Sequence, residues 1–293
     1  MRPLIFGEVL FDRFPDGSVV LGGAPFNVAW HLQAFGLAPL VISRVGLDAL
    51  GDAVVAAMTR WGMDRRGVQF DATHPTGTVE VSFQAGEPHY AIADRVAYDI
   101  IAAGELPAPA GEWLLYHGSL ALRHTESAEA LARLRDRIPG SRFVDVNLRT
   151  PWWRREQVLA DLKGATWVKL NEDELVALFP DGDDAGRQAE LATLVTGHVV
   201  ITSGEQGATA NSVNGSPPVR VRPTQTAAVV DTVGAGDAFS SVCLAGRLLA
   251  WPLDVTMQRA QQFASAIVGI RGATPTDKDF YRRFLDAWRM KAG

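Results

Sequence analysis

The feature that most constrains the fold of this chain is the alternation of short apolar runs with longer segments of helical periodicity. Short apolar runs between turn signals are typical of buried strands, and apolar residues three or four positions apart mark the buried face of a helix. We predict strands at Leu4–Phe6 with Val9–Leu10, Leu40–Ile42, Leu114–Tyr116, Phe143–Val146, Trp167–Leu170, Val199–Thr202 and Ala228–Val230. Helices are predicted at Asn27–Phe35, Asp48–Trp61, Thr125–Ile138, Gln157–Leu162, Glu172–Leu178, Ala235–Leu249 and Val255–Ile270. The alternation predicts an α/β fold with a mainly parallel sheet and helices on both faces.

Two segments interrupt the alternation and predict a small second sheet. Phe11–Leu21 carries the turn signal Pro15-Asp16-Gly17 between β-prone runs. Thr76–Ala91 alternates apolar and polar residues up to a Gly86-Glu87-Pro88 turn, which predicts a half-buried antiparallel hairpin. A small sheet inside an α/β chain indicates a lid or an interface.

Composition excludes several classes of protein and favours a cytoplasmic location. The 293 residues include 47% hydrophobic and 21% charged residues, values typical of a globular protein. The net charge of −5 argues against nucleic acid as a partner, because binding a phosphate backbone requires a basic face. The lone Cys243 excludes a disulfide framework. We find no apolar stretch long enough for a membrane helix and no signal peptide, and we therefore expect the cytoplasm.

The most informative segment runs from Asp231 through Gly234-Ala235-Gly236-Asp237 and opens a predicted helix. Small residues at a helix N-terminus let backbone N–H groups approach an anion, and the helix dipole attracts it. The negative charge of an aspartate beside a bound phosphate would repel that phosphate. Its presence there is explained if the carboxylate acts as a general base toward an attacking hydroxyl. The alternative interpretation is simple helix capping by Asp231 or Asp237.

Two further segments carry polar residues where a ligand could lie. Gly22-Gly23 leads into a helix with Asn27 in its first turn, which predicts either a close backbone surface for a polyhydroxylated ligand or a plain turn with a cap. Asp145, Asn147 and Arg149 follow a strand, and alternation places them on one side. Arg149 there suits a phosphate, and a surface ion pair is the alternative.

The segments Lys169–Glu174 and Thr202–Ala208 are each open to two interpretations. Asn171 and Glu174 are three residues apart at a helix start, so they form either a capping box or a site for hydrated Mg²⁺, and both can hold together. The glycine turn after Thr202 either underlies a nucleotide or is an ordinary hairpin turn. P-loop and protein-kinase motifs do not occur in the sequence, and the first strand lacks the Gly-x-Gly-x-x-Gly of a dehydrogenase.

In this order the segments resemble the ribokinase-like (PfkB) carbohydrate kinases along nearly the whole chain. The motifs on which the resemblance rests are Gly22–Ala29, Asn171-x-x-Glu174 and Asp231–Phe239. The resemblance implies a three-layer α/β sandwich with a main domain at residues 1–10, 22–75 and 96–293, and a β lid at residues 11–21 and 76–95. It also implies a sugar and ATP as partners, and a lid that in this family often forms a homodimer.

The resemblance implies the following residue roles. Asp237 is the catalytic base, and the amides of Gly234, Ala235 and Gly236 form an anion hole for the transferred phosphoryl group. The expected sugar ligands are Asp12, Gly22, Gly23, Asn27, Arg95 and Asp237. The expected nucleotide ligands are Lys169, Asn171, Ser203, Gly204, Gly207 and Arg149. Asn171 and Glu174 would hold Mg²⁺, mainly through water, and Asp231 would lie beside the K⁺ that some family members bind.

Within the family, the Gly7–Asp12 segment, Ala24 after the glycine pair and Pro151-Trp152 look most like fructokinases. Fructose is therefore the expected substrate. The alternatives are 2-keto-3-deoxygluconate, ribose or a nucleoside. A different class of function, a non-catalytic sugar sensor on a kinase fold, is disfavoured by the intact Asp237 and its glycines.

Overall fold

Two β-sheets organise the chain in the computed structural model, which describes residues 1–84, 87–108, 111–138, 140–223 and 229–290. The strands of the large sheet are β1 (Arg2–Phe6), β4 (Leu40–Gly46), β5 (Val68–Asp71), β8 (Trp113–His117), β9 (Arg142–Asp145), β10 (Ala165–Asn171), β11 (Val195–Thr202), β12 (Ala208–Ser212) and β13 (Val219–Val221). The small sheet contains β2 (Leu10–Arg13), β3 (Val19–Gly22), β6 (Gly77–Gln84) and β7 (Glu87–Ile92).

The large sheet has the order β13-β12-β11-β10-β9-β8-β1-β4-β5. All neighbours from β11 to β5 pair in parallel, whereas β12 and β13 pair antiparallel at one edge. Parallel strands all end at the same edge, so their connections meet there and form the natural place for a ligand.

Helices cover both faces of the large sheet. They are α1 (Ala24–Ala34), α2 (Ala49–Trp61), α3 (Thr125–Arg137), α4 (Arg155–Leu162), α5 (Glu172–Leu178), α6 (Asp184–Leu194), α7 (Ala235–Leu248), α8 (Leu253–Val268) and α9 (Lys278–Trp288). Alternate strand residues face opposite layers: Ile5 packs with the layer of α1, α2 and α7–α9, and Leu4 and Phe6 pack with that of α3. Val168 packs with α4–α6 in the same way. The predicted three-layer sandwich with a mainly parallel sheet is confirmed.

The small sheet has the order β3-β2-β6-β7 and confirms the predicted hairpin, which is β6 with β7. Val79 and Val81 are buried while Glu80 is exposed, as the alternation requires. The predicted turn at Gly86 lies outside the described residues, and Glu87 already belongs to β7. Because β2 pairs in parallel with β6, the sheet is mixed.

Several predicted elements are wrong or missing. Val9–Leu10 does not continue β1, because the chain turns at Gly7 (φ 150°) and Leu10 begins β2 in the small sheet. Val229 and Val230 form no strand and are exposed, and Ala228 lies outside the described residues. The prediction omitted β5, β12, β13, α6 and α9. No helix in the described part of the chain is long and apolar enough to cross a membrane.

Phe263 in α8 lies at the centre of an aromatic cluster that joins α1, α8 and α9. Its ring lies 5.1 Å from Phe35, 5.0 Å from Phe284 and 5.1 Å from His31. The side chain is fully buried, so its removal leaves a cavity that the surrounding helices cannot fill without moving.

We therefore expect Phe263→Ala to lower the free energy of unfolding by about 3–5 kcal/mol. Urea unfolding followed by tryptophan fluorescence measures the change. The matched control is Phe70→Ala, since Phe70 is 47% exposed and its truncation removes little buried surface. Equal losses in the two variants would contradict a central role for Phe263.

Candidate active site

A cavity of about 450 Å³ opens at the edge where the parallel strands end, with the small sheet along one side. The predicted site residues that line it are Asp12, Gly23, Asn27, Arg149, Lys169, Asn171, Glu174, Gly234, Gly236 and Asp237. The predicted residues outside its lining are Gly22, Arg95, Ser203, Gly204, Gly207, Asp231 and Ala235. The structure thus gathers the core of the predicted sugar, phosphate and metal residues at one place.

The loop before α7 has the geometry of an anion site. Gly234 precedes the helix in the left-handed region (φ 79°), and a side chain there would overlap Ala273. The amide of Ala235 donates a long hydrogen bond (3.3 Å) to the Thr232 carbonyl. The first-turn amides of a helix have no carbonyl partner within it, and the dipole adds partial positive charge. Anionic oxygens are therefore favoured at the cavity end of α7.

Asp237 lies in the first turn of α7, and Asn27 in the first turn of α1 holds it in place. Asn27 Nδ2 donates to Asp237 Oδ2 at 2.8 Å, which fixes the carboxylate orientation. Burial raises the pKa of Asp237 to about 6, and the Asp145 carboxylate adds to this, while Asn27, Lys169 and Arg149 act in the opposite direction. A carboxylate with a pKa near 6 is mostly ionised at neutral pH and is a better proton acceptor than an ordinary aspartate.

The predicted sugar wall is formed by the glycine pair and Asp12. Gly23 caps α1 with φ 106°, and a Cβ there would lie 2.6 Å from the Glu8 carbonyl oxygen, so only glycine fits. At Gly22 a Cβ would come within 3.4 Å of Asp12 Oδ2. Burial raises the pKa of Asp12 to about 6, and Arg149 partly opposes this. The missing side chains leave the acidic groups open to a ligand.

Lys169 does not project freely into the cavity but forms a buried ion pair with Asp145. Its Nζ donates to Asp145 Oδ1 at 2.8 Å and to Oδ2 at 2.9 Å, and both residues are less than a tenth exposed. Ser240 of α7 and Tyr116 of β8 also donate to Asp145, at 2.6 and 3.2 Å. Burial acts to lower the pKa of Lys169, but the Asp145 carboxylate outweighs it and the pKa is raised. A Cβ at Gly236 would lie 3.4 Å from Nζ, so the lysine is directly under the anion loop.

Asn171 and Glu174 form the capping box that the sequence allowed. Asn171 Oδ1 accepts from the Glu174 amide at 2.8 Å, and Glu174 Oε2 accepts from the Asn171 amide at 2.9 Å. Glu174 Oε1 accepts from the Leu148 amide at 2.8 Å. Burial raises the pKa of Glu174, and the Asn171 amide opposes the change. With one amide on each oxygen, the carboxylate keeps lone pairs for water, which suits a hydrated Mg²⁺ better than direct coordination.

Asp145, Asn147 and Arg149 all line the cavity, but strand alternation is the wrong reason for it. Strand β9 ends at Asp145, and Asn147 takes a left-handed conformation (φ 45°). The exposed Arg149 donates to the Leu148 carbonyl at 3.1 Å, which leaves most of its guanidinium donors for a ligand.

Ser203, Gly204 and Gly207 form the turn between β11 and β12, so the hairpin interpretation holds. Ser203 Oγ donates to Glu172 Oε1 at 2.7 Å, and its amide donates to the Gly207 carbonyl at 2.8 Å. Gly207 has φ 98°, and a Cβ there would overlap the Val221 carbonyl oxygen. The turn lies beside the cavity, which Thr202 reaches from the same strand.

Arg95 and Asp231 are not part of the cavity lining. Arg95 is exposed, with φ 50°, just after β7. Asp231 Oδ1 accepts from the Val233 amide at 3.0 Å and Oδ2 accepts from the Gly272 amide at 3.1 Å. Asp231 therefore joins the anion loop to the segment after α8, the place where K⁺ was expected.

Sequence reasoning left several lining residues out of the site. They are Glu8, Leu10, Ala24, Val79, Tyr90, Ile92, Leu120, Thr202, Thr232 and Val233, whereas Asp145 and Asn147 were named as candidates without a role. Glu8 carried a usable signal, because a charged residue just beyond the carboxyl end of a buried parallel strand lies at the ligand edge of the sheet. Leu120 and Ile92 carried none, because their position depends on how the small sheet packs.

Comparisons with known proteins show the family to which the chain belongs. The model of the pfkB family carbohydrate kinases matches residues 6–279. A fructokinase of Klebsiella pneumoniae is 32% identical over 259 residues, 83% of this chain and 83% of that protein. A sugar kinase of Pyrococcus horikoshii, solved in complex with ATP, superposes with a TM-score of 0.80 at 26% identity and covers 97% of this chain and 100% of that chain.

An aminoimidazole riboside kinase of Salmonella enterica, solved with aminoimidazole riboside and an ATP analog, superposes with a TM-score of 0.84 at 22% identity. The match covers 97% of this chain and 100% of that chain, and it supports the ribokinase-like fold alone. The family match extends over nearly the whole chain and includes both glycine segments and Asp237. The chain therefore belongs to the pfkB family of carbohydrate kinases, and it is a phosphotransferase that acts on a sugar hydroxyl.

Proposed function

We propose that the chain transfers the γ-phosphoryl group of ATP to a hydroxyl of fructose. The main support for this reaction is the hydrogen bond between Asn27 at the start of α1 and Asp237 at the start of α7. It orients the Asp237 carboxylate beside the glycine loop in the same cavity. The 32% sequence identity to a fructokinase of Klebsiella pneumoniae supports fructose as the acceptor. Ribose, 2-keto-3-deoxygluconate and a nucleoside are the alternatives.

In the proposed reaction Asp237 takes the proton of the attacking sugar hydroxyl. The hydroxyl oxygen then bonds to the γ-phosphorus as the bond to the β–γ bridging oxygen breaks, and ADP leaves. Negative charge on the transferred group is stabilised by the amides of Gly234, Ala235 and Gly236 and by the dipole of α7. The acceptor itself would lie against Asp12, Gly22 and Gly23, with Arg95 at the margin.

We assign the nucleotide to the other half of the cavity, along Lys169, Asn171 and Arg149, with the Ser203–Gly207 turn beneath it. Arg149 offers free guanidinium donors, which suit phosphate oxygens. Mg²⁺, which neutralises phosphate charge in such reactions, would be held through water by Asn171 and Glu174. A K⁺ ion beside Asp231 would act on the position of the anion loop through the contacts to Val233 and Gly272.

The small sheet is proposed to act as a lid, with residues 11–21 and 76–95 closing over the sugar while the rest of the chain stays fixed. Excluding water prevents hydrolysis of ATP in place of transfer. A non-catalytic sugar sensor is the competing class of function. ADP release coupled to fructose, ribose, 2-keto-3-deoxygluconate and adenosine with MgATP separates them, because a sensor would bind a sugar and release no ADP. The cytoplasmic location remains a prediction from the sequence.

Asp237→Asn should lower kcat by about 10²–10⁴-fold, since it removes a general base and keeps the shape of the side chain. Coupled ADP release measures kcat, and calorimetry should show that sugar binding is retained. The control is Asp52→Asn on the exposed face of α2, which should leave kcat unchanged. Unchanged turnover in Asp237→Asn would remove Asp237 as the base.

The pH profile should report the same carboxylate. Because the pKa of Asp237 is raised to about 6 and its ionised form is the base, kcat at saturating fructose should fall as pH drops through about 6. The hydrogen bond from Asn27 lowers this pKa, so Asn27→Ala should move the fall to higher pH. A fall at the same pH in both proteins would show that another group titrates.

We also propose a homodimer formed through the lid. Asp12 pairs with Val20 and Val81 pairs with Tyr90, so these side chains share the inner face of the small sheet. Val20 is 41% and Tyr90 is 53% exposed, which leaves apolar surface that this chain does not cover. The outer face carries the exposed ion pair of Arg13 and Glu80. The uncovered inner face suits a second copy of the chain.

Val20→Arg should convert the dimer to a monomer, as measured by light scattering after size-exclusion chromatography. Burying an unpaired guanidinium against apolar surface is strongly unfavourable. The control is Val19→Arg, one residue away on the opposite face of β3 and similarly exposed. A wild-type protein that is monomeric at all concentrations, or equal dissociation of both variants, would contradict the proposal.

A further inference from the structure

Glu8 is a buried carboxyl group in the cavity wall, and one of its two oxygens has no hydrogen-bond partner in the described part of the chain. It lies two residues after the end of β1 and is 2% exposed. Its Oε2 atom has no hydrogen-bond partner among the described residues. Buried polar atoms in native proteins are almost always hydrogen-bonded, so an orphaned carboxyl oxygen requires an explanation.

The surroundings of Glu8 explain why it is not a structural ion pair. Burial raises its pKa to about 7, and Asp237 adds to this, while the Glu8 backbone amide opposes the change by a hydrogen bond and Arg149 and Arg123 oppose it by charge alone. Nε and Nη2 of Arg123 donate to the two oxygens of Asp99, while its Nη1 is buried and has no hydrogen-bond partner among the described residues. The group thus stays desolvated beside the catalytic carboxylate, an arrangement that costs stability unless a ligand uses it.

A second orphaned acceptor belongs to the same wall. Asn27 Oδ1 is also buried and has no hydrogen-bond partner among the described residues, and Nδ2 of the same amide donates to Asp237. The space left by Gly22 adjoins it, since a Cβ there would lie 4.0 Å from Asn27 Oδ1 and 3.4 Å from Asp12 Oδ2. Acceptors without donors on one wall are complementary to a ligand that presents several hydroxyl groups.

We propose that Glu8 is a substrate-binding residue whose carboxyl group bonds a hydroxyl of the acceptor sugar, and that the acidic wall it completes selects neutral polyhydroxylated substrates over sugar acids. This rests on the proposed kinase function. Rotation about the last side-chain bond, which is a soft torsion, presents either carboxyl oxygen to the cavity.

The charges of the cavity support the choice of a neutral acceptor. Glu8, Asp12 and Asp237 line it without an ion-pair partner among the described residues. Of the cations in its described lining, Lys169 is held by Asp145, which leaves Arg149 for phosphate. Arg95 does not line the cavity. A substrate carboxylate would therefore meet like charges at short range in a poorly hydrated site, which is strongly unfavourable.

The test is Glu8→Gln, which keeps the size of the side chain and removes its charge. We expect the KM for fructose to rise about tenfold or more, the effect of losing one hydrogen bond to a charged group, while the KM for MgATP changes less than about twofold. The ratio of kcat/KM values for fructose and 2-keto-3-deoxygluconate should fall, because the like charge is gone. Glu8→Asp, which keeps the carboxyl group, should lie between wild type and Glu8→Gln.

Glu129→Gln, on the exposed face of α3 and outside the lid, is the control and should leave every constant unchanged. A fructose KM that is unchanged in Glu8→Gln would overturn the assignment. Equal increases in the KM for fructose and MgATP together with a lower Tm would assign Glu8 a structural role instead and would also overturn it. If wild type prefers 2-keto-3-deoxygluconate, the selectivity argument fails.

Calorimetry of sugar binding without nucleotide separates this inference from the kinase proposal. Binding of fructose to wild type that is lost in Glu8→Gln, without any ADP release, would uphold Glu8 and overturn the proposed reaction. If wild type and Glu8→Gln turn over fructose with the same kcat and KM, the proposed reaction is upheld and the role of Glu8 is overturned. A wild type that binds none of fructose, ribose and adenosine would overturn the role of Glu8 as well.

Discussion

The buried ion pair between Lys169 and Asp145 holds the active-site end of the molecule together. It links β9 to β10, and Asp145 also accepts hydrogen bonds from Tyr116 of β8 and Ser240 of α7. Burying two charges carries a large desolvation cost, which only good geometry and additional hydrogen bonds can offset. Here three strands and the helix of the anion loop supply those bonds, so the position of α7 depends on the sheet beneath it. The anion loop before α7 is thereby held in place by the ion pair of Lys169 and Asp145 as well as by packing.

Three carboxyl groups of the cavity are under the influence of the same exposed cation, Arg149. Arg149 lowers the pKa of Glu8, Asp12 and Asp237 against the effect of burial, although it forms no ion pair with any of them. It is exposed and bonded only to a neighbouring carbonyl in the described structure. An arginine that turned toward a phosphate would lose part of this influence on the acids. The basicity of Asp237 is thus a property of the whole cavity and not of one residue.

The sequence was most informative where structure and chemistry depend on neighbouring residues. The glycine turns, the first turns of α1 and α7 and the capping box of Asn171 and Glu174 are local, so the motifs alone predicted them. Val229 and Val230 failed as a strand because β-prone residues form one only when a neighbouring strand is there to pair. The partners of Asp145 and the isolation of Glu8 depend on residues far apart in the chain. Such contacts have no signature in a single sequence.

The glycine before α7 also has a consequence for how such a chain can change. Gly234 has a left-handed backbone, and the space that a side chain would need is taken by Ala273, which is 8% exposed. The segment that carries Ala273 is itself anchored, since the indole of Trp30 in α1 donates to the Pro275 carbonyl at 3.0 Å. A larger residue at position 273 would push on the phosphate loop, and a graft of the loop alone into another scaffold would lack the surface that shapes it. The loop before α7 and the segment that carries Ala273 therefore depend on each other. A chimera made between homologues should take both segments from the same parent.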